Sequence, residues 1–506
     1  MNRDGTRKSV WQEEIKWFPP NVPSNTIFDV AIVGGGITGI STAYRLQKAG
    51  KRCIVLEARN LGFGTTGGTT AHLNDFFDTS FYDAIRDFGL ENAKLFVNCG
   101  KDAMQIIDDN IKSLKINCDY ERKNAHLFAL DDKQAQRLDD IVKAAEKVGY
   151  QMRYIPKTSF PIPFTKAVEI SNQGQFHPIK YIKALCEAYI NLGGILVENC
   201  LCTEHEEQDS GITLTTTQGD FHVKKLVYAT HIPPGVNILH FMNAPYRSYA
   251  MAFTLRNELY PQELGYDLED AYHYYRTHEI NEKKVLIAGG EDHKTGHSED
   301  TGERFSKLEN YVRTHFQVDQ VLYSWSSQYY ESVDGFPYIG VLPGSKGNIY
   351  TATGFRGNGM MFGSLSSKII SDLILTGSNI YENLFNPARI KPIAGFNDFV
   401  KEQATVISDF VKGKLFTKHI ASLGDITEGS AKVVTYEGSN YAIYKEQGGK
   451  LHIVKSTCPH AKCEVRWNSA EISWDCPCHG SRFNINGKLL TGPSVKDLQE
   501  IKQEDI

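Results

Sequence analysis

Apolar residues along this chain change their period several times, and each change marks an element. Phe28-Asp29-Val30-Ala31-Ile32-Val33 is a short apolar run that stops at Gly34-Gly35-Gly36. A helical pattern follows from Ile40 to Leu46, and a second apolar run, Cys53-Ile54-Val55-Leu56, ends at Glu57. The order predicted is strand, glycine turn, helix, strand. Between Phe81 and Val148 apolar residues recur at helical spacing (Ile106, Ile107, Ile111; Leu138, Ile141, Val142), predicting helices. Another helix is expected after Gln175-Phe176-His177-Pro178, running to Leu192, and a short strand over Leu226 to Thr230. From Ala244 to Tyr330 the chain alternates and is rich in aromatics (Tyr246, Tyr249, Phe253, Tyr272-His273-Tyr274-Tyr275), as strands of a second sheet would. Small residues near 350 precede a helix from Met361 to Leu375. The pattern breaks after Pro387, and a helical stretch (Phe396 to Val411) leads to a new module. There Val433, Val434 and Tyr436, then Tyr441, Ile443 and Tyr444, then Leu451, Ile453 and Val454 are separated by Glu437-Gly438-Ser439-Asn440 and Gln447-Gly448-Gly449. That is a β-meander.

These segments divide the chain into an arm (1–26, with Trp11 and Trp17 placed to pin it), an α/β unit (27–390), a linker (391–420) and an all-β module (421–506). Within the α/β unit, portions 80–160 and 244–330 are expected to face a substrate, the latter as an interleaved antiparallel sheet. A length of 506 residues fits more than one domain. Hydrophobic content of 41% with 23% charged residues is that of an ordinary soluble protein, and a net charge of −5 leaves no basic footprint for nucleic acid. Met1 to Pro20 contains no apolar core of a signal peptide and no twin arginine, and no run of eighteen apolar residues predicts a membrane span. Six of the ten cysteines (Cys53, Cys99, Cys118, Cys186, Cys200, Cys202) follow no pattern, as expected of buried thiols in a reducing compartment. A cytoplasmic protein is the expectation.

The N-terminal glycines fit a dinucleotide. Gly34 permits the tight turn, Gly36 lets backbone approach a pyrophosphate, and Gly39 lets the helix lie close to the sheet. Ile37 and Thr38 open the helix whose N-terminus would meet the phosphates, and Glu57 stands where a ribose hydroxyl would be held. Residues 100–330 contain no second fingerprint, since Ala288-Gly289-Gly290 runs into charged residues. Electrons are therefore expected from an organic substrate rather than from NAD(P)H.

Near the C-terminus, Cys458-Pro459-His460-Ala461-Lys462-Cys463 and Cys476-Pro477-Cys478-His479-Gly480-Ser481 supply the pairs C-x-H and C-x-x-H. Cys458, His460, Cys476 and His479 make a four-ligand set in which two thiolates suit one iron of a [2Fe–2S] cluster and two imidazoles the other. Zinc also accepts two cysteines and two histidines, though zinc fingers usually pair like with like.

This C-terminal stretch resembles the Rieske domains of cytochrome bc complexes, which carry the same extra cysteine pair. The resemblance implies Cys458 and Cys476 on one iron, His460 and His479 on the other, and a Cys463–Cys478 disulfide. It also places Ser481 where high-potential members have a serine donating toward cluster sulfur, and Phe483 where they usually have a donating tyrosine. With fewer donors, an intermediate potential within roughly −150 to +300 mV is expected. Gly492-Pro493 is similar to the third loop that shields the cluster. The larger unit, residues 27–390, resembles the glycine oxidase, sarcosine oxidase and D-amino-acid oxidase superfamily. The resemblance rests on the dinucleotide turn, Leu226-Val227-Tyr228-Ala229-Thr230, Asp334-Gly335-Phe336-Pro337-Tyr338-Ile339-Gly340 and Thr353-Gly354-Phe355-Arg356-Gly357-Asn358-Gly359-Met360. It implies FAD, with Gly34, Gly36, Gly39 and Glu57 on its ADP half. Gly62 to Ala71, including Thr65, Thr66 and Thr70, would wrap the diphosphate and flavin, and Gly357, Asn358, Gly359 and Met360 would lie beside the ring. The chain has Thr65-Thr66-Gly67-Gly68 where members often have a Gly-Arg-Asn-Gly-like string, and no cysteine or histidine there is an obvious covalent attachment point; His72 is the nearest candidate and reads first as a structural histidine.

That superfamily oxidises C–N bonds of amines or amino acids. Arg356 is a candidate to pair with a substrate carboxylate, and His273 and Tyr274, with Tyr272 and Arg276, are candidates to line the pocket. His293 and His297 invite a mononuclear iron reading, but their glycine-flanked spacing departs from the oxygenase pattern. The expected function is an FAD-dependent dehydrogenase of a small amine or amino acid that passes electrons through the cluster to an external acceptor. An oxygen-using oxidase and a non-catalytic redox sensor are the alternatives.

Overall fold

The computed structural model describes residues 5–12, 26–298, 300–389, 418–419 and 425–503. The predicted helix at 396–411, most of the expected linker and Trp17 lie outside the described residues.

Strand Ile27–Val33, fully buried over its last four residues, pairs in parallel with Cys53–Leu56 on one side and Gly219–Tyr228 on the other. Ile195–Val197 and Ile349–Thr353 extend this parallel core, and Tyr338–Val341 closes one edge antiparallel. Strands buried on both faces read as continuous apolar runs, which is why 28–33 and 53–56 were legible without alternation. Helix Ile37–Lys48 lies between this sheet and helix Gly359–Leu375, where a Cβ on Gly363 would stand 2.7 Å from Ile37 Cγ2. Two regions more than three hundred residues apart thereby meet at one helix N-terminus.

The second sheet has nine strands among the described residues, with Val318–Ser332, Asn243–Leu255, Lys283–Lys294 and Tyr274–Ile280 running antiparallel in that order. Leu264–Asp267, Glu121–Ala129 and Lys166–Gln175 continue it. Helices Phe81–Phe88, Leu90–Leu114 and Asp132–Lys147 fill the region expected to be helical, but Glu121–Ala129 between them is a strand. Conversely, helix Gly302–His315 interrupts the stretch read as strands.

The C-terminal unit is all β. Ala431–Tyr436, Ser439–Lys445 and Leu451–Lys455 form the predicted meander, and Arg466–Asn468, Ser473–Asp475, Arg482–Asn484 and Leu489–Thr491 form a second small sheet. The fold is thus an α/β dinucleotide-binding unit with an interleaved antiparallel sheet, followed by a β module. No described helix is long and apolar enough to cross a membrane.

Candidate functional site

At the dinucleotide turn, Gly34 has φ +112°, and a Cβ there would stand 2.5 Å from Ala229 O. A Cβ on Gly39 would stand 1.9 Å from Gly34 O, so the helix lies directly on the turn. The helix begins at Gly36 with no side-chain cap and no acid in its first turn, leaving its positive end for an anion. The Glu57 carboxylate is buried and takes hydrogen bonds from the Gly35 and Arg59 amides at 2.6 and 2.8 Å, while burial pushes its pKa up. Thr66 Oγ1 accepts from Ile37 N at 3.0 Å, which brings the 62–71 segment onto the start of the helix beside Thr38. Thr65 Oγ1 contacts His231 Nδ1 at 3.2 Å and Thr70 Oγ1 contacts His72 Nδ1 at 3.1 Å. The other nitrogen of His72 bonds Tyr275 O at 3.2 Å, so both are engaged and the ring holds structure. Asn358 and Gly357 bind Asp78, and Gly359 and Met360 open the helix that packs on Ile37. An uncapped helix end, a close-approach turn and a buried carboxylate fit the ADP half of FAD.

In the β module, Cys458 and Cys476 face each other. The Cys476 sulfur holds the Cys458 thiol down, to about 7, while the Cys476 thiol is pushed up. Ser481 hydrogen-bonds the Cys458 sulfur and also accepts from Ser494 N at 2.9 Å, tying the Gly492-Pro493 loop to the site. Phe483 is fully buried and offers no hydrogen bond there. The rings of His460 and His479 lie 5.0 Å apart. Nδ1 of both rings is buried without a partner, and burial keeps His479 neutral, with a pKa of about 3. Two thiols and two orphaned neutral imidazole nitrogens fit a [2Fe–2S] cluster. Cys463 and Cys478 form a disulfide, their Cα atoms 6.5 Å apart. The grouping of Cys476 with Cys463 and Cys478 within 4.8 Å therefore offers only one free thiol and is not itself a metal site. His293 bonds Tyr249 OH at 2.9 Å and Lys294 O at 2.8 Å, and no metal-binding group among the described residues includes it or His297.

The two units are closely joined at these loops. Tyr330 OH donates to His479 O at 3.0 Å, and Gln328 Nε2 donates to Gly480 O at 2.9 Å. His240 lies against both His460 and His479, at 4.6 and 5.4 Å between ring centres, and His460 Nε2 bonds Gly235 O at 3.0 Å. On the other face of Tyr330, its ring meets His231 edge-on at 4.7 Å, and His231 contacts Thr65. A short path of side chains thus joins the 62–71 segment to His479. Behind it, Ser326 bonds both Arg247 and Glu471, and buried Arg482 pairs with Asp475 at 3.0 Å. The segment 5–12 straps the units together: Arg7 bonds Ser324 and Ala470 O, and fully buried Trp11 donates to Thr69 O at 2.6 Å.

A cleft opens beside Gly357. Asp78 Oδ2 accepts from Gly357 N at 2.7 Å. Its side chain is exposed, yet the protein around it pushes its carboxyl up. Tyr329 OH donates to Asp292 at 2.8 Å, and Ser248 and Tyr274 hydroxyls are 2.9 Å apart. A Cβ on Gly289 would overlap the Tyr274 ring at 2.3 Å, so glycine makes room for it. Tyr272 and Tyr274 are on this cleft. His273 points elsewhere, to Asp267 at 2.9 Å and stacked on Tyr311 at 3.8 Å. Arg276 is wholly buried against Thr70 O and Ala71 O. Arg356 is already paired with Glu331 at 2.9 Å, and Glu331 and Asp78 outweigh burial in holding its charge. Sequence reasoning missed Asp78, Glu331, Gln328, Tyr330 and His240, because each acquires its role from a partner in another segment of the chain.

Residues 29–373 match the FAD dependent oxidoreductase family (DAO), and residues 417–502 match the Rieske [2Fe-2S] domain. A Bacillus subtilis protein, YhfW, provisionally named a Rieske 2Fe-2S iron-sulfur protein, is 31% identical over 95% of both chains. The gamma-glutamylputrescine oxidoreductase of Escherichia coli is 24% identical over 68% of this chain and 83% of its own. The crystal structure of glycine oxidase from Geobacillus kaustophilus superposes with a TM-score of 0.61 at 18% identity, covering 72% of this chain and 99% of that one. The chain belongs to the FAD dependent oxidoreductase family and carries a Rieske [2Fe-2S] domain at its C-terminal end.

Proposed function

We propose that this protein is a dehydrogenase that removes two electrons from a small amine or amino acid and delivers them singly, through its own Rieske centre, to an external acceptor. Bound FAD supplies hydride acceptance from a carbon beside nitrogen, and the cluster supplies one-electron carriage. The division of labour gives 27–390 to substrate oxidation and 421–506 to electron carriage, with 391–420 joining them.

The observation that carries this reading is the docking of the cluster loop on the oxidoreductase unit. Tyr330 and Gln328 bond the backbone of His479 and Gly480, while Tyr330 also meets His231 beside Thr65. In this reading Cys458 and Cys476 hold one iron and His460 and His479 the other. Gly34, Gly36, Ile37, Thr38, Gly39 and Glu57 hold the ADP half of FAD, and Thr65, Thr66, Thr70, Gly357, Asn358, Gly359 and Met360 enclose the flavin. Tyr330 and Gln328 fix the loop, and His240 and Phe241 cover the buried His479 ring. Six scattered cysteines that stay free and buried support a cytoplasmic setting.

Anaerobic addition of a reducing amine should bleach the flavin and then the cluster. In His460→Ala the flavin should bleach at the wild-type rate while no cluster signal follows it. Wild-type protein whose intact, oxidised cluster stays oxidised beside a fully reduced flavin would sink the proposal and favour the oxygen-using oxidase.

A further inference from the structure

The cleft beside Gly357 is lined by acids from three separate places. Asp78 follows a short strand of the second sheet, Asp292 lies on Lys283–Lys294, and Glu331 lies on Val318–Ser332. They lie close enough to act on one another: Glu331 and Asp78 help raise the Asp292 carboxyl, and Glu331 helps raise that of Asp78. One guanidinium, Arg356, answers these three carboxylates, and its Nη2 is committed to Glu331 at 2.9 Å with Thr79 on Nη1 at 3.2 Å. Fully ionised, the recess would hold an excess of two negative charges. Carboxylates gathered in such excess repel one another unless a cation joins them.

An independent observation points the same way. Tyr266 is only 8% exposed, and its hydroxyl has no hydrogen-bond partner although it is close enough to Asp78 and Tyr274 to interact with both. A buried hydroxyl left without a partner calls for a polar group that enters from outside. Tyr272 and Tyr274, 5.7 Å apart, and Tyr329 add ring faces that attract a cation.

We propose that this cleft takes a cationic amine with no carboxylate beside its reacting carbon, and that Glu331, by occupying Arg356, is the residue that excludes amino acids. Burial places the Asp292 carboxyl near 7, so an arriving ammonium meets an acid that can ionise to receive it. Arg356, the residue a carboxylate would need, has its guanidinium committed to Glu331 and Thr79. The inference rests on the proposed function only in taking this cleft as the substrate site.

Two planar ions of the same shape and opposite charge, benzamidinium and benzoate, test it on the full-length, oxidised protein holding both cofactors. Binding is read by perturbation of the flavin absorption and by calorimetry. Benzamidinium should bind about tenfold or more tightly than benzoate. Asp292→Asn should weaken benzamidinium about tenfold, and Glu331→Gln, by freeing Arg356, should raise benzoate affinity by a similar factor. Tighter binding of benzoate to the wild type, no binding of either ion, or a Glu331→Gln variant with an unmoved ratio would each overturn the inference. Since no electron moves in this experiment, a cluster that never accepts electrons would defeat the proposed function and leave the charge preference standing.

Discussion

His273 shows what neighbours do to a residue that sequence singles out. Adjacent to Tyr274, it invites a role in the pocket, but it precedes the strand and turns away from it, to Asp267 and Glu291, and Arg304 pairs with Glu291 at 3.5 Å. Burial opposes its charge, but the two carboxylates prevail and raise its pKa from 6.5 to about 9. The sign of the stability effect follows. A histidine whose pKa is higher in the folded state stabilises the fold fully below 6.5 and loses that contribution as pH rises through 9. The contribution is on the order of 3 kcal/mol for a buried pairing. Thermal denaturation of the wild type should therefore show a midpoint falling between pH 6.5 and 9, whereas His273→Gln should start lower and fall less. Equal slopes in the two proteins would contradict this. Arg356 carries the same lesson for legibility. Its position beside Gly357 was readable, but the Glu331 that occupies it lies on a strand whose register with Phe355 only the fold reveals.

At the scale of elements, local pattern succeeded where partners are close in sequence. The glycine turn was legible in full, because Gly34 and Gly39 must touch within a single turn of helix. That contact yields a sharp expectation. Gly39→Ala would set a methyl against Gly34 O, forcing the helix off the turn, so the variant should purify with less than about a tenth of the wild-type flavin. The iron content per chain should stay near wild type, which separates a local loss from general misfolding. Equal flavin content would show that the turn tolerates displacement. The helix Gly302–His315 carried a usable signal, with Phe305, Leu308 and Val312 buried at helical spacing, but it sits between long alternating strands that dominate any window. Strand Glu121–Ala129 has its partners at Lys166–Gln175 and Leu264–Asp267, and nothing within the flanking helices announces them.

For the whole molecule, the question is whether the cluster unit is fixed or moves to meet its donor. The interface answers through its chemistry. Arg247, Ser326 and Glu471 form a buried network across it, Thr301 Oγ1 donates to Asn468 at 2.7 Å, and Arg7 with Trp11 closes the seam. Buried, hydrogen-bonded charge pairs are costly to separate, so a swinging arrangement would have to break them at each turnover. A fixed cluster receives electrons within one chain. Its reduction by the flavin should then be first order, unchanged on tenfold dilution or on raising the salt, as read by stopped-flow absorbance under anaerobic conditions. Tyr330→Phe removes the hydroxyl that holds His479 O and leaves that buried carbonyl unpaired, a loss of about 1 kcal/mol or more. It should slow cluster reduction about fivefold while leaving flavin reduction by substrate unchanged, because Tyr330 lies on the cluster side of Thr65 and not among the acids of the cleft. A rate that falls on dilution would mean that electrons pass between molecules.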